Sequence, residues 1–127
     1  MIPKREIITV MSGDFDPPTD SDIKKMKYAK SLGDWLIVGV HSDLRVSAKN
    51  GEVHFPLEHR SFLVKNMKYV DEVFHYEGKF NDDRGLLMLI KTCYPGARYI
   101  YLSSDASGDS PESQITGVTF TSFQSEN

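Results

Sequence analysis

The stretch from Ser12 to Asp22, SGDFDPPTDSD, carries four aspartates, at positions 14, 16, 20 and 22, and no basic residue. Carboxylates at this density could capture a hard cation. Asp14, Asp16 and Asp22 are the candidate ligands, and magnesium, which takes oxygen donors, is the candidate ion. The spacing is not that of a calcium-binding loop, which would need a further acid or amide at Pro18. The same residues also have a purely structural use. Asp20 and Asp22 would complement the dipole of a helix start, and Asp16 beside Pro17 and Pro18 suits a turn. The cations that could meet phosphate oxygens lie further on, at Lys49 and Arg60, with His41 as a further donor. The four histidines show no metal-ligand spacing.

These side chains need elements to position them. Residues 6–11, EIITVM, read as a strand that Gly13 and the Pro17–Pro18 pair end. Residues 20–32 read as a helix with Ile23, Met26, Ala29 and Leu32 on one side and Lys24, Lys25, Lys27 and Lys30 on a solvated face. Thr19 or Asp20 is the expected N-cap, and Gly33 the expected left-handed residue after the helix. The continuous apolar run WLIVGV suits a central parallel strand covered on both faces. Residues 42–55 read as a polar loop, and Pro56 opens a second helix through Val70. EVFHY is a third strand, DDRGLLMLIKTCY a third helix closed by Pro95–Gly96, ARYIYLS a fourth strand and GVTFTSF a fifth.

Alternating strands and helices predict an α/β fold, a Rossmann-like parallel sheet of about five strands with helices on both faces. In such sheets ligands bind beyond the carboxyl ends of the strands. SGDFDPPTDSD, HSDLRVSAKNGE and SSDASGD all leave strands at that edge, so the candidate site lies where those three loops meet.

At 127 residues the chain suits a single domain, with a polar C-terminal segment from about residue 103 expected to be mobile. A net charge of −3 offers no general attraction to nucleic acid. The lysine-rich helix face has only Tyr28 interleaved, which also argues against a nucleic-acid partner. The one cysteine, Cys93, excludes an internal disulfide and reads as a small core residue. No apolar run is long enough to span a bilayer and the first residues lack a signal-peptide core, so a cytoplasmic protein without a membrane partner is expected.

The ordered set G-x-F-D, L-G-D-x-L-I-V-x-V-x-S-D, E-x-R and V-D-E-V, from about Ile7 to Val73, resembles the cytidylyltransferase-like nucleotidyltransferases. Within that family the likeness is to glycerol-3-phosphate cytidylyltransferase and to the adenylyltransferase domain of ADP-heptose synthase. The resemblance implies transfer of a nucleotidyl group from CTP or ATP to a sugar or polyol phosphate, with release of pyrophosphate and with Mg2+. It implies nucleotide or phosphate contacts at Gly13, Asp14, Phe15, Asp16, His41 and Arg60, and catalytic positions at Lys49, Thr19 and Asp22; a homodimer is allowed. The chain departs from the family where the H-x-G-H motif should stand. Thr19, Asp20, Ser21 and Asp22 replace it, and the C-terminal I-S-T-T signature is missing. Impaired transfer is therefore expected, and a non-catalytic binding or regulatory module is the alternative. ITVMSGDFDPPT also resembles the aspartate-nucleophile phosphatase motif D-x-D-x-T, but an extra proline precedes Thr19 and no later Lys or acidic pair completes it.

Overall fold

A computed structural model of the chain describes residues 6–76, 82–103 and 117–123. Strand β1 spans Ile7–Gly13, helix α1 Asp20–Ser31, strand β2 Trp35–His41, helix α2 Asp43–Asn50 and helix α3 Leu57–Lys65. Strand β3 follows at Glu72–Tyr76, helix α4 at Arg84–Cys93, strand β4 at Arg98–Ser103 and strand β5 at Val118–Ser122. The five strands form one sheet in the order β3-β2-β1-β4-β5, and every pair is parallel. This is the Rossmann-like arrangement expected from the sequence. β1 lies at the centre and the strand order reverses beside it, which is where a parallel sheet opens its crevice.

Side chains along β2 alternate between two cores. Leu36, Val38 and Val40 join Met26 and Ala29 of α1 and Val64 of α3 on one face. Ile37 joins Ile8, Val10 and the α4 residues Leu86, Leu87 and Ile90 on the other. Burial on both faces explains why the β2 run is continuously apolar. The acids of the VDEV segment hold the start of β2. Asp71 Oδ2 accepts from Leu36 N at 2.8 Å and from Lys30 at 2.5 Å, while Glu72 accepts from the Trp35 indole at 3.0 Å.

Several expectations need correction. Residues 42–55 are not all loop, because α2 runs through them. Ser42 caps it by accepting from Arg45 N, Arg45 and Val46 are buried, and Gly51 ends it with a left-handed φ of 86°. The helix after Pro56 stops at Lys65, with Pro56 as its N-cap. Gly33 does not take a left-handed conformation, since Leu32 ends α1 with right-handed geometry. A Cβ at Gly33 would come within 2.9 Å of the Ile7 carbonyl and 2.8 Å of Thr9 Oγ1, so it is close approach to β1 that requires glycine there. Cys93 is exposed, not core. Ile23 is 38% exposed, because the buried stripe of α1 is narrower than its apolar residues suggested. The lysine face is not uniformly solvated either: Lys30 is bonded to Asp71, and burial lowers the basicity of Lys25. The SSDASGD segment past Ser103, and with it most of the polar C-terminal segment, lies outside the described residues.

Candidate functional site

The carboxyl ends of β1 and β2 deliver the residues singled out in the sequence. At the start of α1, Thr19 and Asp22 form a reciprocal capping box. Thr19 Oγ1 accepts from Asp22 N at 3.3 Å, and Asp22 Oδ2 accepts from Thr19 N at 2.8 Å. The Thr19 hydroxyl also donates to Asp22 Oδ2, at 3.1 Å. A helix N-terminus presents unpaired N–H groups and the positive end of a dipole, and is a ready anion site. Here the chain's own carboxylate answers that charge.

Asp14, at the exit of β1, takes donors from β2 and α2. His41 Nδ1 lies 2.7 Å from Asp14 Oδ1, and because a carboxylate only accepts, the imidazole donates. Lys49 Nζ and Asn50 Nδ2 each approach Asp14 Oδ2 at 3.3 Å. The hydrogen bond from His41, reinforced by the charge of Lys49, holds the Asp14 carboxyl well below the ordinary carboxylate range, against burial, which pushes it up. Asp16 serves the neighbouring loop instead, accepting from His54 N at 2.7 Å and Phe55 N at 2.6 Å.

Phe15 is buried among the α1-side core residues, with φ of 50°, and its ring lies over Gly13. A Cβ at Gly13 would sit 2.8 Å from that ring, so glycine is needed there for packing. Arg60 is fully buried. Its Nε donates to Phe55 O at 2.8 Å, its Nη1 to Asp14 O at 2.7 Å and His41 O at 2.8 Å, and its Nη2 to Asp43 Oδ1 at 2.7 Å. With those donors turned inward, Arg60 clamps the β1, β2 and α2 ends of the crevice together. The phosphate contact expected of it finds no exposed guanidinium.

Sequence reasoning missed a second cluster on the far side of His41. Asp83, 3% exposed, sits just before α4. It accepts from Arg45 Nη1 at 2.8 Å, from the Tyr101 hydroxyl at 2.7 Å and from the Ser12 hydroxyl. Burial pushes the Asp83 carboxyl up, but the Ser12 and Tyr101 hydrogen bonds and the Arg45 charge outweigh it and leave it lowered. His41 Nε2 lies 3.1 Å from Ser12 Oγ. Asp14, His41 and Ser12 thus stand in the order of a carboxylate–imidazole–hydroxyl triad. The Ser12 proton, however, is directed at Asp83, so the row works as a polar brace and not as an activated nucleophile.

The structure does not draw Asp14, Asp16 and Asp22 into one ligand set. The three carboxylates are committed to different partners, and among the described residues no group of three or more His, Cys, Asp or Glu is placed to hold an ion.

A pH prediction follows from the lowered carboxyls. A group more acidic folded than unfolded contributes stability that is complete above its unfolded value, about 4 for aspartate, and is lost as the pH falls toward its folded value. Asp14, Asp82 and Asp83 all have this sign. Urea midpoints measured from neutral pH downward should hold until about pH 4–5 and then fall. In Asp14→Asn the fall should be shallower. A parent protein equally stable on both sides of that window would contradict the assignment.

Against known proteins, a family model described as cytidylyltransferase-like matches residues 10–105. Ethanolamine-phosphate cytidylyltransferase of Arabidopsis thaliana is 42% identical over 69 residues, which cover 52% of this chain and 16% of that protein. Glycerol-3-phosphate cytidylyltransferase of Bacillus spizizenii is 35% identical over 81 residues, 61% of each chain. The chain therefore spans only part of the length of the curated relatives it matches. Among solved structures, a lipopolysaccharide core biosynthesis protein of Thermoplasma volcanium superimposes with a TM-score of 0.69 at 22% identity, covering 95% of this chain and 98% of that one. That likeness supports the fold.

Proposed function

Because the chain belongs to the cytidylyltransferase-like family, we propose that it is a nucleotidyltransferase domain whose phosphate crevice is filled by its own carboxylates. The reaction would be transfer of a nucleotidyl group from CTP or ATP to a sugar or polyol phosphate, with pyrophosphate released. In this chain that reaction is slow or lost. One observation carries the reading: Asp22 caps the start of α1, so negative charge lies where a phosphate would be received.

Attack on the α-phosphorus builds charge on its non-bridging oxygens, and preorganised donors aimed at that charge supply most of the catalysis. The donors here are aimed elsewhere. The Thr19 hydroxyl donates to Asp22, and Lys49 lies against Asp14. An ionised Asp22 can donate nothing and repels the triphosphate. Magnesium would accompany the nucleotide as its counter-ion. The described carboxylates do not converge into a ligand set for it.

Removing one such donor typically costs ~10²–10³ in rate, and two positions are affected here. Pyrophosphate release should be assayed with CTP and ATP against glycerol 3-phosphate, ethanolamine phosphate and a panel of sugar phosphates. The expected rate lies on the order of 10⁴-fold below a typical turnover of ~10 s⁻¹. A turnover near that typical value on any acceptor would defeat the proposal. A non-catalytic binding or regulatory module is the second reading, favoured by the inward commitment of Arg60. Magnesium-dependent nucleotide binding separates the two, since only the transferase requires it.

A further inference from the structure

We propose that Asp14 is a built-in plug on the phosphate-binding position that the family resemblance implies at His41 and Lys49, with Asn50 as a further donor, and that the phosphate of a phosphomonoester displaces it. The proposal rests on reading this crevice as a former nucleotide site, and adds how the site is kept shut. Three donors of different chemistry, an imidazole from the end of β2 and an ammonium and an amide from the last turn of α2, converge on one carboxylate. Holding Asp14 in place does not require all three. Its backbone carbonyl is already fixed by Arg60 Nη1 at 2.7 Å. The carboxylate can therefore swing out about its own side-chain torsions while the loop stays put.

Charge argues for the exchange. A carboxylate offers two oxygens and one charge. A phosphate monoester near neutral pH offers three strong acceptor oxygens and about −1.5 to −2 charge. With the Lys49 ammonium, the His41 Nδ1–H and the Asn50 amide facing it, the second anion satisfies the donors more fully than Asp14 does. The Asp14 side chain is 16% exposed and that of Lys49 45%, so solvent reaches the pair from the Lys49 side.

The test titrates inorganic phosphate into the parent and into Asp14→Ala by calorimetry near neutral pH, with acetate as the comparison anion. Asp14→Ala should bind phosphate about tenfold or more tightly than the parent, the effect of removing one competing charge. It should favour phosphate over acetate. Adding Lys49→Ala or His41→Ala to Asp14→Ala should abolish most of that gain. The proposal is overturned if Asp14→Ala binds no better than the parent, or if its gain survives both second substitutions, which would mark a general charge effect. Should Asp14→Ala not fold, the near-isosteric Asp14→Asn carries the same comparison. If Asp14→Asn also fails to fold, Asp14 is a structural member and not a plug. The result is independent of catalysis. Phosphate binding gained by Asp14→Ala while pyrophosphate release stays absent supports both readings. A parent that turns over, beside an Asp14→Ala that gains nothing, defeats both, and each assay fails on its own terms.

Discussion

Arg60→Ala is expected to destabilise the fold by about 3–5 kcal/mol, the range for removing one partner from a buried charged network. The side chain is fully buried and donates to three backbone carbonyls and to Asp43. Alanine would leave those carbonyls without their donors and open a cavity beneath three chain segments. Desolvated acceptors stripped of partners cost about 1–3 kcal/mol each when nothing replaces them. Water reaching the site would offset part of this, which keeps the expectation below the simple sum. Arg60→Lys should recover only part, because an ammonium cannot reproduce the planar fork that reaches the Asp14 and His41 carbonyls together. Asp43→Ala should cost less than Arg60→Ala, about 1–3 kcal/mol, because it strips one acceptor from the buried guanidinium while the Asp43 side chain itself is 51% exposed. Urea unfolding with an unchanged denaturant slope reads all three. A loss under ~1 kcal/mol for Arg60→Ala would show that Arg60 does not hold the crevice together.

That role was hidden in the sequence for a physical reason. Arginine in an E-x-R helix reads as a surface cation, since most arginines are exposed. Nothing local tells that its partners are backbone carbonyls 5, 19 and 46 residues away. The Arg45–Asp83 pair was missed likewise, because its partners lie 38 residues apart and follow no period. The strands were far easier to read. The WLIVGV run lies within β2 as expected, because burial on both faces leaves a continuous apolar signature, and EVFHY matches β3, an edge strand marked by its β-branched and aromatic residues. Helix α2 escaped because it is eight residues long and mostly polar, and Gly51 looked like a loop marker when it is the left-handed end of that helix. At the site, Asp14, His41 and Lys49 were each named from the sequence, and the structure brings them together. That they face one another, and not an open cleft, depends on side-chain direction, which spacing does not carry.

The second large effect concerns the start of α1. Asp22→His should strengthen metal-free triphosphate binding by roughly 10–100-fold, since removing one like charge at contact distance is worth ~1–3 kcal/mol between bulk water and a protein surface. The substitution deletes the carboxylate that answers the helix N-terminus and restores a donor on its first turn. It also breaks half of the capping box, at a cost of about 0.5–2 kcal/mol in stability. Thr19 then loses its acceptor at Asp22 Oδ2, and its hydroxyl is freed to donate to a phosphate.

Calorimetric titration of CTP and ATP into the parent and into Asp22→His, without magnesium, tests most directly whether the chain's own carboxylate occupies its phosphate site. Binding by the parent should be weak or undetectable, and binding by Asp22→His clear and salt-sensitive. Equal affinity in the two proteins, or no binding by either, would contradict occupation of the phosphate site by Asp22.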